Sequence, residues 1–276
     1  MKLLVRAYSL FNILSLDVAA GACITSAAVC VAYGLQPSPA AIILLGNAIW
    51  IIYTLDHYYD ALASRNNASS RRRAFHIQYR RPLLILLAVA FAAEVVLLIQ
   101  TDFRLMKYGL PAFVITGLYL LLNWLSQRRR KKFYLKELMI SAGYVAGILT
   151  IPSSYTENEA QALRMYLGPG LFLFFTALAN VLLIAWYEAE ADRREQQVSA
   201  AEWIPRRVLR WLIAAVIVCQ LATAREFIFP VAFLMVLIFA ALLIFPSFFE
   251  KNEVYRKLVD SVFLAPALFL VYNLFS

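Results

Sequence analysis

Charge is scarce in this chain. Asp, Glu, Lys and Arg together make up 16% of its 276 residues, where a soluble globular domain carries about a quarter. Cysteine occurs three times, at Cys23, Cys30 and Cys219, always inside apolar runs and never as CxxC. That spacing offers neither a disulfide framework nor a thiolate metal site, so the cysteines read as packing residues. His57 and His76 are the two histidines. His76 has no ligand-spaced partner, and His57, beside Asp56, reads either as a phosphate contact or, more commonly for a lone His, as a solvated helix-end residue. The chain has no GxGxxG, Walker loop, HExxH or GxSxG arrangement, which removes the commonest nucleotide, zincin and hydrolase signatures. No linker or low-complexity stretch divides it, so residues 1–276 read as a single polytopic domain.

What is abundant is apolar sequence, at 62% of residues. Runs long enough to cross a bilayer fall at about 9–34, 39–59, 82–100, 107–126, 135–152, 165–187, 208–224, 227–246 and 258–275. Backbone groups in lipid must pair within their own segment, so these runs predict an all-α integral membrane protein of nine transmembrane helices. With the N-terminus in the cytoplasm, 22 of the 26 Lys and Arg residues fall on the cytoplasmic side. Arg104, Lys107, Arg164 and Arg225 are the exceptions. This positive-inside bias fixes the orientation, and nine spans then place the C-terminus outside. The net charge of +9 is accounted for by the same bias, with attraction to anionic membrane lipids as a by-product and no nucleic-acid partner implied.

Against this background two acidic pairs stand out. Asp56 and Asp60 end one apolar run, and Glu188 and Asp192 end another. Carboxylates four apart share one face of a helix. The two pairs are offset by the same 132 residues, and each has a tyrosine close before it, Tyr53 and Tyr187. This predicts two four-helix units in parallel orientation, plus one further helix, with both pairs on the cytoplasmic side. The loops that follow, about 61–81 and 188–207, would then carry the site. Acids at the ends of membrane helices are costly unless they bind something, and arginines follow both pairs. Oxygen ligands of this kind suit magnesium held over a polyphosphate, with arginines around the remaining oxygens. Taken alone, the first pair is equally compatible with an ion-paired helix end, and the second reads more readily as a solvated, salt-bridged helix end than as a site. Asn180 lies two turns before Glu188 on the same face, where it either lines the same cavity or bonds a neighbouring helix. Asp17 and Glu94 lie within spans, about 12 and 18 Å deep at 1.5 Å per residue, and intramembrane acids are functional candidates.

Asp56, Asp60, the basic Arg65, Arg81-Pro82-Leu83, Glu188, Asp192 and Ser199 together resemble the two acidic motifs of UbiA-type intramembrane prenyltransferases. Lys131, Lys132 and Lys136 resemble that family's basic patch before its fifth helix. The resemblance covers nearly the whole chain as architecture and about a dozen positions as motif. It departs from the family where Ile52 and Tyr53 replace the Asn and Asp that open the first motif, where Glu188 replaces Asp, and where Gln196 replaces a Gly.

The resemblance implies a ring of nine helices around a lipid-accessible cavity. It also implies Mg²⁺ held by Asp56, Asp60, Glu188 and Asp192 as the catalytic residues. Arg65, Arg81, Lys132, Lys136 and Arg193 would then bind the diphosphate of a polyprenyl diphosphate, and Asp17, Tyr53 and Asn180 would face the cavity. The implied activity is prenyl transfer to an unidentified membrane-borne acceptor, in a bacterial inner (plasma) membrane. Tyr53, Tyr58, Tyr59, Tyr144 and Tyr187 are candidates for stabilising a cation-like allylic carbon, although tyrosine also collects at membrane interfaces. The substitutions at Ile52 and Tyr53 keep a second possibility open, a catalytically degenerate protein of this fold that binds isoprenoid lipid or a partner. Asp17 and Glu94 keep a third open, a polytopic transporter.

Overall fold

A computed structural model describes residues 2–63, 71–129, 133, 135–195 and 199–275. Among them the regular structure is entirely helical. In order the helices are α1 (Lys2–Ile13), α2 (Leu16–Ala32), α3 (Pro39–Ala63), α4 (Arg71–Gln78), α5 (Arg80–Ile99), α6 (Phe103–Arg129), α7 (Lys136–Ser154), α8 (Glu159–Leu167), α9 (Pro169–Tyr187), α10 (Ala189–Glu195), α11 (Ala200–Trp203), α12 (Arg206–Thr223), α13 (Phe229–Ile244), α14 (Pro246–Phe249), α15 (Val254–Ser261) and α16 (Ala267–Phe275). Among the described residues six stretches are long and apolar enough to cross a membrane: Pro39–Leu62, Arg80–Ile99, Phe103–Arg128, Glu159–Tyr187, Arg206–Glu226 and Val254–Phe275.

The first apolar run, 9–34, does not form one straight span. Ala7–Ile13 and Leu16–Ala32 meet at 82°. Ser15 takes a left-handed conformation at the corner, with φ 56°. Asp17 therefore sits in the first turn of α2, not in the middle of a helix. A carboxylate is favoured there by the partial positive charge of the helix N-terminus, and its Oδ1 accepts the Val18 amide at 3.0 Å.

The centre of the bundle is α7 and α9. Ile148 and Leu149 of α7, and Phe172, Leu173 and Leu183 of α9, are fully buried. They pack with Leu209 and Ile213 of α12 and Met235, Phe239 and Leu242 of α13. Around this centre, α6 packs along α7, α2 lies against α3 and α7, and α5 leans on α3. α5 and α6 are outermost, and Ile85, Val89, Phe103 and Phe113 stand exposed on them. Apolar surface of this extent would be an aggregation liability in water. Facing lipid, it carries no hydration cost.

Close approach depends on a few small residues. A Cβ on Gly143 would stand 2.8 Å from Thr116 Oγ1, which lets α6 lie tight on α7. Gly21 of α2 faces the C-terminal segment, and a Cβ there would stand 2.8 Å from Phe263 Cβ and 3.3 Å from its carbonyl carbon. The second contact is backbone, so the neighbour cannot swing away. Gly21→Leu should therefore destabilise the protein by about 1–3 kcal/mol through overpacking, measured as a lower midpoint of thermal unfolding in detergent. An unchanged midpoint would contradict this packing.

Candidate functional site

One cavity, about 740 Å³ in volume, runs between α3, α5, α6, α7 and α9. Its wall is apolar over most of its length, with Leu45, Ile49, Leu105, Leu110, Met139 and Ile151 among the lining residues. One end is charged. There Asp56, Asp60, Glu137, Glu188, Asp192 and Asp260 meet Arg72, Arg73, Lys136 and Arg256.

The first acidic pair comes from the last turns of α3. Asp56 Oδ1 accepts Tyr119 OH at 2.5 Å and Asn123 Nδ2 at 3.1 Å. Asp60 Oδ1 accepts Gln127 Nε2 at 3.0 Å and lies 3.9 Å from Lys136 Nζ. Tyr119, Asn123 and Gln127 are spaced by four on α6, so one helix face supplies all three donors. Tyr119 and Asn123 are buried, which places the Asp56 carboxylate in a dry and oriented setting.

The second pair is held differently. Helix α9 ends at Tyr187, Glu188 is its C-cap, and Asp192 lies in α10. The two acids flank a break yet keep the i to i+4 relation, because Asp192 N donates to Glu188 O at 2.8 Å. Arg73 of α4 stands between them, 2.7 Å from Asp192 Oδ1 and 3.9 Å from Glu188 Oε2. Glu188 Oε1 is also gripped by Arg256 through Nη2, and through Nε at 3.1 Å. Burial alone would push the Glu188 carboxyl up, but Arg256 and Arg73 outweigh it and hold the group below its ordinary value of 4.5. Asp192 moves the other way. Its burial and the neighbouring Glu188 raise it, with Arg73 only partly offsetting them.

A further cluster joins the charged end from the side. Arg72 Nη2 donates to Asp260 Oδ2 at 2.9 Å and to Asn12 O at 3.0 Å. Asn12 Nδ2 contacts both Asp17 Oδ2, at 2.5 Å, and Asp260 Oδ2, at 2.8 Å. Arg72 Nη1 lies 2.9 Å from His57 Nε2, so His57 is not a solvated helix-end residue. It lines the cavity and is held against a guanidinium.

The structure gathers Asp56, Asp60, Glu188, Asp192, Lys136, Tyr53 and Asn180 around the one cavity. Asn180 does both things its position allowed, lining the cavity and donating to Val259 O at 2.8 Å. Ser199 and Tyr144 are there as well. Arg81 and Arg193 are exposed and do not line the cavity. Arg193 instead donates to Ala201 O at 3.3 Å. Arg65 and Lys132 lie outside the described residues.

The guanidiniums at the charged end come from Arg72, Arg73 and Arg256; the sequence placed Arg72 and Arg73 in the arginine run after the first pair without singling either out as a ligand, and counted Arg256 only toward the positive-inside bias. A sharper signal was available in the spacings. Arg256 with Asp260, and Tyr119 with Asn123 and Gln127, each place polar side chains four apart beside an apolar run.

The donor set at the first pair fits a divalent cation. Ligand atoms of Asp56, His57 and Asp60 lie within 4.8 Å of one another. The two carboxylates supply the oxygen ligands that magnesium prefers, and the donors to Asp56 among the described residues are neutral. At full ionisation the charged end has, among the described residues, six carboxylates against four cationic side chains.

Fold and site together define an all-helical integral membrane protein with an apolar cavity capped by clustered carboxylates and guanidiniums. Its fold is shared with a solved structure described as "Structural and mechanistic insights into the biosynthesis of Digeranylgeranylglyceryl phosphate synthase in membranes". The two superpose with a TM-score of 0.52 over 94% of this chain and 97% of that one, at 14% identity. No family model and no curated protein matches the chain.

Removing one member of a buried ion pair strands the other charge, at a cost of about 3–5 kcal/mol. Arg256→Leu should therefore lower thermal stability sharply, and the added change Glu188→Leu should restore most of it. Glu188 has a depressed carboxyl value, so its stabilisation is complete above the ordinary 4.5 and is lost as pH falls through the lower folded value. The stability gap between wild type and Glu188→Gln should accordingly narrow as pH falls below the ordinary 4.5. A gap that stays constant down to pH 3 would refute the pairing.

Proposed function

We propose that the protein is a Mg²⁺-dependent prenyltransferase of the UbiA type, moving an isoprenoid chain from a polyprenyl diphosphate to a membrane-borne acceptor. The observation that carries this reading is the division of a single cavity. Its wall suits hydrocarbon, and its one charged end joins two acidic pairs to Arg72, Arg73, Arg256 and Lys136. A ligand with an apolar chain and a polyanionic head matches both halves. The shared fold with a digeranylgeranylglyceryl phosphate synthase supports the same class. In this reading the chain crosses the membrane nine times, as two parallel four-helix units plus one helix, with the charged end facing the cytoplasm.

In the proposed reaction the bond between the allylic carbon and the bridging oxygen breaks, and diphosphate leaves with the electron pair. A nucleophilic atom of the acceptor bonds to that carbon and releases its proton. Mg²⁺ on Asp56 and Asp60 would neutralise charge developing on the departing diphosphate. Tyr119, Asn123 and Gln127 hold those two carboxylates in place before the ligand arrives. Arg73 is oriented by Glu188 and Asp192, and Arg72 by Asp260 and Asn12. Pre-oriented guanidiniums bind phosphate oxygens with less ordering cost than free ones. Tyr53 and Tyr144 line the cavity near its charged end, their rings 6.0 Å apart and edge-on, and offer aromatic faces to an electron-poor carbon.

A second reading has its own support. Ile52 and Tyr53 supply no carboxylate where the first motif of this family opens, and Arg73 and Arg256 already engage the second pair. In that reading the protein binds isoprenoid diphosphate without turning it over.

Ligand-induced stabilisation separates the readings from their failure, because a ligand that binds only the folded state raises apparent stability. Geranylgeranyl diphosphate with Mg²⁺ should raise the unfolding midpoint. Chelation should reduce the shift, and the Asp56→Asn/Asp192→Asn double variant should abolish it. Release of diphosphate in the presence of acceptor pools from membrane extracts would mark turnover. A Mg²⁺-dependent shift without release supports the non-catalytic reading, and no shift with any chain length rejects both.

A further inference from the structure

Away from the charged end, one carboxylate faces the cavity among the described residues. Glu94 of α5 lines it among Leu44, Phe91, Val95, Met106, Leu110 and Phe113. The group is braced. Asn47 Nδ2 donates to Glu94 Oε2 at 2.7 Å and to Ala90 O at 2.9 Å. Both amide hydrogens of Asn47 are thereby used, and the carboxyl is fixed against α3. Glu94 Oε1 has no hydrogen-bond partner among the described residues. It is only half-buried and lines the cavity.

A helix-to-helix hydrogen bond alone would explain an Asn–Glu pair buried between α3 and α5. It does not explain why the carboxyl lines the cavity, since the Asn47 bond to Ala90 O already ties the helices together. The pair has a defined depth. Asn47 precedes Asp56 by nine residues on the same helix, about 14 Å at 1.5 Å per residue. Hydrocarbon lying over Glu94 would strip water from an oxygen with nothing to replace it, which is costly in an apolar setting. Hydrocarbon ending short of this level leaves the carboxyl to whatever polar partner or water the cavity admits.

We propose that Glu94, braced by Asn47, sets the upper length of the isoprenoid chain that the cavity accepts. The inference rests on the reading that the cavity holds a polyprenyl diphosphate. It makes Glu94 a specificity-determining residue, with no part in the chemistry at Asp56 and Asp60.

The test measures dissociation constants for geranyl, farnesyl, geranylgeranyl and octaprenyl diphosphates with Mg²⁺. It compares the full-length wild type, Glu94→Leu and Glu94→Gln, all in one detergent. Wild type should bind the short donors tightly and lose at least about tenfold in affinity once the chain outgrows the Glu94 level. Glu94→Leu should erase that step and leave the shortest donor unchanged. Glu94→Gln keeps a polar group at the same place and should retain the step. A residue that only held α5 to α3 would lower the unfolding midpoint of Glu94→Leu without altering the ratio of long-donor to short-donor affinity. Tight binding with the same length profile in wild type and Glu94→Leu overturns this inference and leaves the proposed function standing. Failure of wild type to bind any donor overturns both.

Discussion

Carboxylates removed from water must be matched by cations or by strong hydrogen-bond donors, and the arrangement of this protein's helices at the charged end of the cavity follows from that constraint. Arg73 on α4 is bound to acids at the end of α9 and on α10. Arg256 on α15 is bound to the same Glu188, and Arg72 on α4 reaches Asp260 on α15. Three segments far apart in the chain are thus pinned by a handful of charges. Breaking one pair leaves a less well matched charge in a poorly hydrated place, which is why removing both partners costs less than removing one. The apolar contacts among α7, α9, α12 and α13 build the bundle, and the ion pairs fix its charged end.

That network also distinguishes two acidic pairs that look alike in sequence. Asp56 is held by neutral donors, Tyr119 OH and Asn123 Nδ2, which orient a carboxylate without cancelling its charge. Glu188 and Asp192 are held by guanidiniums, which do cancel it. Asp56 therefore keeps the electrostatic character of a cation ligand, while Asp60 faces Lys136 Nζ at 3.9 Å and the second pair orients arginines. A duplicated spacing has been put to two electrostatic uses, because the helices facing each copy carry different side chains.

The fold class was legible from the sequence because its signal is local. An apolar run of about twenty residues has few stable solutions in lipid, and helix is the one that pairs every backbone group within the run. The acidic pairs were legible for the same reason, since four-residue spacing puts two side chains on one helical face whatever surrounds them. Reading failed where geometry departed from the regular helix. The run 9–34 bends by 82° at Ser15, and nothing in a hydropathy pattern marks such a corner. Arg72 and Arg73 read as part of a positive-inside loop, yet both point into the charged end of the cavity.

What the sequence determined by itself was composition, the all-helical membrane class and the existence of two matched acidic pairs, all properties of neighbours along the chain. Tertiary structure decided which cations answer which acids. Arg256 lies 68 residues from Glu188, and Arg73 lies 119 from Asp192. It also decided that Tyr119, Asn123 and Gln127 face the first pair, and that Arg81 and Arg193 stay outside the cavity. The physical reason is that Coulomb and hydrogen-bond partners are chosen by distance in space and by local dielectric, and neither quantity exists until the helices have packed.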